Sequence, residues 1–221
     1  IGYAAFSGCS GLTSFEINSG VLEKTGSFIF YGCKNLKEVK LNGALKKIPK
    51  NMFADASYLE KVIIPKSVTS IDSMSFCECN SLKSIVIPEN VTYIGYSAFA
   101  GCAQLKSVVV PAKVNEIKWC AFEDCTALTS VTVKNKNVKF GVEVFRNDNN
   151  LTIKCYKNST AHKYALDNKI KCSPTLGNSS GNTVTANAVK GLKIGGRASN
   201  ALRLNWNSDS SVKGYIIEQY R

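Results

Sequence analysis

Nine cysteines and one histidine carry most of the reactive chemistry in this chain. Thiolates can ligate zinc, attack electrophiles or close disulfides, and a histidine can move a proton near neutral pH. Spacing decides among these. Cys9, Cys33, Cys79, Cys102 and Cys125 follow one another at 24, 46, 23 and 23 residues. Compact zinc motifs bring ligands within about two to four residues of each other, so this register is not theirs. Cys77-Glu78-Cys79 is a C-x-C, but only Cys79 shares the wide register. Cys120, Cys155 and Cys172 lie outside it, and a Cys155–Cys172 bridge near the C-terminal end of the pattern is left open. His162 stands alone on a segment with helix character, where an exposed surface residue is expected rather than a catalytic base. No carboxylate pair, nucleophile–base set or glycine-rich phosphate loop stands apart from the register. No enzyme activity, cofactor or metal is expected.

The register belongs to a repeat. Phenylalanine recurs at Phe6, Phe30, Phe53, Phe76, Phe99, Phe122 and Phe145, first after 24 residues and then five times after 23. A fixed period of this length marks a solenoid. Three residues after each phenylalanine stand Cys9, Cys33, Ala56, Cys79, Cys102, Cys125 and Asp148, and six residues after it stands a leucine, from Leu12 to Leu151. Ala56 in the cysteine column argues for packing rather than ligation, so five buried free thiols are expected there. Apolar residues follow at nine and eleven, as in Val62 and Ile64 or Val108 and Val110, two apart on one face of an extended strand. Pro65, Pro88 and Pro111 then end the strand, and a short second extended piece such as Val91-Thr92-Tyr93-Ile94 leads to the next phenylalanine. Gly8, Gly32 and Gly101, each two residues after its phenylalanine, read as turn residues.

Units such as Leu82 to Cys102, reading LKSIVIPENVTYIGYSAFAGC, resemble the BspA-type leucine-rich repeats of bacterial surface proteins. The resemblance covers about residues 1–172; the third unit departs with Ala56, and the stretch between Phe6 and Phe30 is irregular. It implies a mainly β repeat solenoid, a parallel stack of about seven 23-residue rungs with leucine-rich-repeat curvature. For function it implies non-catalytic adhesion or ligand binding at the bacterial cell surface or in secreted form.

The pattern degrades after Phe145, where Lys154 takes the place of the next apolar residue. Asn158-Ser159-Thr160 offers capping groups before Ala161 to Leu166, so residues 151–172 are expected as strand, short cap helix and last strand. Residues 173–188 are uncharged and rich in Ser, Asn, Gly and Thr, as a flexible linker is. Residues 189–194, 201–206 and 214–220 alternate as strands do, and the segment 189–221 looks like the start of a fibronectin type III β sandwich, with Trp206 and Tyr215 at core positions. Such a sandwich needs about 100 residues, and the chain opens in mid-repeat, so it reads as a fragment of a longer protein.

Two outward columns are left to meet a partner. Between the two inward strand residues lie Glu16, Lys40, Ile63, Val86, Val109 and Thr132, with Ile63, Val86 and Val109 forming an apolar stripe. Three residues before each phenylalanine lie Tyr3, Ser27, Lys50, Ser73, Tyr96, Trp119 and Val142. Tyr96 and Trp119 are neighbours there, with Tyr93 close by, and stacked aromatics suit a sugar ring or a protein hot spot. The bland alternative for both columns is ordinary strand and edge packing.

The formal net charge is +12, and residues 134–171 hold nine basic residues against Glu143, Asp148 and Asp167. A solvated basic end is the plain reading; attraction to an acidic polymer such as an anionic wall glycan or mucin is the sharper one. Sequence-specific nucleic-acid binding is not expected, since only Arg146, Arg197, Arg203 and Arg221 are arginine. No apolar run reaches the roughly 20 residues of a membrane span. The expectation is a monomeric extracellular module that binds a host protein, a glycan or a neighbouring cell. The alternative is a structural stalk or the targeting arm of a larger extracellular enzyme.

Overall fold

The structure is a computed structural model, and it describes residues 1–17, 25–42, 45–176, 193–198 and 201–205. Two compact units divide at Gly177. The first is the solenoid. Its long strands are β1 (Ser14–Ile17), β2 (Glu38–Leu41), β4 (Lys61–Ile63), β7 (Ser107–Val110), β9 (Ser130–Val133), β11 (Thr152–Tyr156) and β12 (Lys171–Leu176). Its short strands are β3 (Lys47–Ile48), β5 (Ser70–Ile71), β6 (Tyr93–Ile94), β8 (Glu116–Ile117) and β10 (Lys139–Phe140). All of these pair in parallel, each with its counterpart one coil away.

The seven phenylalanines are the axis of the core. Successive rings from Phe6 to Phe145 lie 5.1–5.6 Å apart and within 19° of parallel. The distance is slightly more than the roughly 4.8 Å between paired strands, so one ring fits each coil. Around them pack the leucines six residues on and the paired β-branched strand residues. A single coil could not cover this side, and each coil's apolar face is buried by the next.

The segment around each phenylalanine forms a third ladder that strand periodicity does not reveal. Residues two before and two after every phenylalanine have positive φ, for example Ser97 at 48° and Gly101 at 74°. This turns alternate amides the same way. Ser97, Phe99 and Gly101 donate to the carbonyls of Trp119, Ala121 and Glu123 on the next coil, at 3.0, 2.8 and 2.8 Å. Glycine fits the second position without a steric cost, which accounts for Gly8, Gly32 and Gly101, but Asp55, Glu78, Asp124 and Asn147 hold the same conformation. The first position is held by non-glycine residues throughout, including Met74 and Cys120. Left-handed backbone costs a non-glycine residue roughly 1–2 kcal/mol, which the three inter-coil hydrogen bonds offset.

Three expectations about the coils are corrected. Ser84 to Ile87 forms no strand and makes no backbone ladder bond, so the long strands split into β1-β2-β4 and β7-β9-β11-β12, while the short strands stay continuous. Ile85 and Ile87 are still buried, so core contact survives where ladder pairing fails. Second, Lys154 does not replace a core residue. The seventh coil is one residue shorter, so Ile153 pairs with Val131 and Lys154 with Thr132, leaving Ile153 and Cys155 as the inward pair. Third, Cys9 is exposed rather than buried, since no described coil packs over its side.

Helix α1 (Thr160–Asp167) closes the stack. Ser159 is its N-cap, and the Ser159 hydroxyl accepts from the His162 amide at 3.1 Å. His162 is half-buried rather than exposed, and its Nδ1 accepts from the Asn158 amide at 3.1 Å. Ala161 and Ala165 face the core. Strand β12 runs on to Leu176, so residues 173–176 are paired with β11 where a linker is expected from composition. Cys155 and Cys172 are both free thiols; the strand register sets Cys172 opposite Ile153.

In the second unit the described residues form an antiparallel pair, β13 (Lys193–Ala198) and β14 (Ala201–Asn205). Residues 189–192, where the first strand is expected to begin, lie outside the described residues. A fibronectin type III sandwich is not shown by this pair. The third strand expected at 214–220, together with Trp206 and Tyr215, lies outside the described residues.

Candidate binding surface

Strand alternation places the residue between two core positions on the outside. By register Glu16 adjoins Lys40, Lys40 adjoins Ile63, Val109 adjoins Thr132, Thr132 adjoins Lys154 and Lys154 adjoins Ser173. Ile63 is 40% exposed, Val86 81% and Val109 44%. Val86 is the most open of the three, and it lies in the segment Ser84 to Ile87 that makes no ladder bond. The stripe ends in the Glu16–Lys40 ion pair, 3.6 Å, on one side and in Thr132 and Lys154 on the other. The next columns carry the pairs Lys61–Glu38 at 3.0 Å and Lys83–Glu60 at 3.6 Å. An apolar centre with a charged rim is the anatomy of a protein contact patch.

The aromatic column lies just past the short strands, in the turn segment before each phenylalanine. Tyr96 is 42% and Trp119 59% exposed, and Tyr93 is half-buried within β6. Tyr96 and Trp119 sit on adjacent coils, but the ring contacts among the described residues do not join them. Stacked aromatics are therefore not what this column presents. Trp119 instead leans on Gly141 of the next coil: a Cβ built there would stand 2.5 Å from the indole Cδ1. Beside it the Lys118 ammonium donates to Glu116 at 2.7 Å, which holds Lys118 protonated to higher pH than usual. Val142, next in the column, is also exposed and extends this patch. Its position in the column was the signal for it.

Ion pairing thins the basic end. Lys134 reaches Glu89 at 3.1 Å, Lys163 reaches Asp167 at 2.8 Å, and Arg146 bridges Glu123 and Glu143. Lys136 lies over the Tyr156 ring at 5.0 Å. Between the last coil and the cap is a cleft of about 630 Å³, lined by Arg146, Asp148, Tyr164, Lys169 and Lys171 among others. Sequence patterning did not point to it, because it arises where the repeat ends.

The thiol column also does something that packing alone did not suggest. Cys33, Cys79, Cys102 and Cys125 each donate through sulfur to the phenylalanine carbonyl of the preceding coil, at 2.9–3.2 Å. Burial pushes the Cys33, Cys79 and Cys102 thiols up, and Cys125 is raised first by its thiol neighbour Cys102 and then by burial. These are donors held neutral rather than nucleophiles. Among the described residues no group of His, Cys, Asp and Glu side chains is placed to hold a metal ion, and no helix is long and apolar enough to cross a membrane.

Comparison with known proteins agrees with the repeat. The family model described as BspA type leucine rich repeat region matches residues 1–102 and 46–173, in six copies. The solved structure of the pneumococcal vaccine antigen PcpA is similar at 24% identity with a TM-score of 0.58, covering 72% of this chain and 40% of that one. The T. pallidum leucine rich repeat protein TpLRR is similar at 23% identity with a TM-score of 0.54, covering 74% of this chain and 86% of that one. This chain thus spans about two fifths of the pneumococcal protein's length. No curated protein sequence matches it. With the parallel coils, the phenylalanine axis and a family match across most of its length, the chain belongs to the BspA-type leucine-rich repeat family.

Proposed function

We propose that the solenoid is a non-catalytic binding module of the cell exterior, and that it contacts an extracellular protein through the stripe Ile63, Val86 and Val109. The observation that supports this reading is the exposure of Val86 at 81% in the middle of an apolar stripe rimmed by ion pairs. A β-branched residue so open gains nothing from the fold, and contiguous exposed apolar residues commonly mark contact sites. The relative from the pneumococcus is described as a vaccine antigen, which favours an exterior location. Tyr96, Trp119 and Val142 form a second patch in the turn segments before the phenylalanines, and Trp119 offers a flat ring to a sugar. The basic end adds long-range attraction for acidic partners.

The test is capture of soluble host matrix proteins by the immobilised chain, run beside a glycan array. Ile63→Lys with Val109→Lys should weaken protein binding about tenfold or more, through two lost apolar contacts and two added charges. Trp119→Ala should leave protein capture unchanged and reduce any glycan signal. Unchanged binding in both variants would remove both patches from consideration.

A further inference from the structure

The cysteine column ends in an acid. Asp148 occupies the place of Cys33, Cys79, Cys102 and Cys125 in the seventh coil. It is only 6% exposed, and neither carboxyl oxygen has a hydrogen-bond partner of good geometry, although the Cys125 amide lies near enough to favour the charged form. A carboxylate buried without a partner is costly, whereas a buried neutral acid with an acceptor is tolerated. An acceptor is available. In six coils the amide three residues after the phenylalanine donates to that phenylalanine's carbonyl, as Cys102 does to Phe99 and Asp148 to Phe145, both at 3.2 Å. The coil with Phe122 and Cys125 lacks this bond. By the register of the column, the Phe122 carbonyl is the one that the side chain at 148 should address, just as Cys125 sulfur addresses Phe99 at 3.2 Å.

We propose that Asp148 is the oxygen counterpart of the thiols, held as a neutral acid whose hydroxyl donates to the Phe122 carbonyl, so that its ionisation loosens the C-terminal cap. Burial, with the charge of Asp124 adding, pushes its carboxyl up to about 8, against a smaller opposite pull from the Cys125 amide. Asp124 and Cys125 on the preceding coil act on it, and Glu143 and Arg146 on its own coil with Tyr164, Lys169 and Lys171 on the cap line the same cleft. The sign follows. The folded state binds this proton more tightly than the unfolded chain, so the contribution is full below the ordinary carboxyl value of 3.8 and is lost as pH rises towards about 8. A solenoid stabilised by acid at its last coil would hold its cap in an acidified niche and open it at mildly alkaline pH.

The experiment uses the full chain. The ¹³C carboxyl signal of Asp148 should titrate with a midpoint near 8; a midpoint near 4 would overturn the proposal. Thermal unfolding across the same window should fall with pH in the parent. Asp148→Asn, a permanently neutral donor, and Asp148→Cys, which restores the column thiol, should both show a flatter profile and exceed the parent at the alkaline end. Parallel pH profiles for parent and both variants would also overturn it. The carboxyl titration is read on the parent alone, so it stands even where a variant does not fold.

Discussion

The Tyr164 hydroxyl accepts a hydrogen bond from the Val144 amide at 3.1 Å, while its ring stacks on Phe140 at 4.5 Å and meets Phe145 edge-on at 6.1 Å. One side chain thus covers both the end of the ring stack and a polar group beneath it. In three earlier coils the amide at this place closes a local turn, as Ala98 does to Gly95 at 3.3 Å, and here the Tyr164 hydroxyl takes that role. Tyr164→Phe keeps the rings and removes the acceptor. The expected cost is about 1 kcal/mol in denaturant unfolding, with faster hydrogen exchange at Val144 than elsewhere in the core.

The ring stack should be most sensitive at its centre. Phe76 and Phe99 are fully buried between parallel rings on both sides, whereas Phe6 is only partly buried. Phe99→Ala should cost roughly 3–5 kcal/mol, and Phe6→Ala clearly less, because a cavity forms only where neighbours cannot collapse. Equal losses in denaturant unfolding would contradict an axis made of stacked rings.

Gly141 sets the pose of Trp119. A Cβ at 141 would stand 2.5 Å from both the indole Cδ1 and the Trp119 amide nitrogen, and 2.8 Å from the Lys118 carbonyl carbon. Backbone atoms cannot yield as a flexible side-chain tip can. Gly141→Ala should cost about 1–3 kcal/mol and shift Trp119 fluorescence, measured with Trp206→Phe to leave a single reporter. A variant with unchanged emission and stability would show that the indole does not rest on Gly141.

Thiol reactivity should follow burial rather than count. Cys9 is exposed, Cys77, Cys120 and Cys172 are half-buried, and Cys33, Cys79, Cys102, Cys125 and Cys155 are buried. Burial raises Cys77 to about 11, so it is thiol rather than thiolate near neutral pH. A thiol reagent at neutral pH should label Cys9 fast, the half-buried three slowly, and the remaining five only after unfolding. Mass spectrometry of labelled peptides reads the order, and early labelling of Cys102 would contradict it.

Much of the scaffold was legible from residue spacing. The 23-residue clock located Phe53 to Phe145 in the core and the leucines beside them, because a repeated apolar position must be buried the same way in every coil, and the capping groups at 158–160 announced the helix. The apolar stripe was legible for the same reason: alternation tells which side of a strand a residue occupies. What spacing could not carry is distance between chains. That Ser84 to Ile87 drops out of the ladder depends on where neighbouring backbones come to rest. That Tyr96 and Trp119 share a column without touching depends on side-chain direction, which Gly141 influences.

Sequence by itself determined the solenoid, its axis and its outward columns, since these follow from which side chains water rejects. Only the tertiary structure decided the polar bonds. Thiols that read as small apolar filling became donors to Phe6, Phe53, Phe76 and Phe99, and Asp148 became an acid without a partner. A hydrogen bond needs a donor and an acceptor within about 3 Å at a defined angle, and such geometry exists only once the coils are stacked.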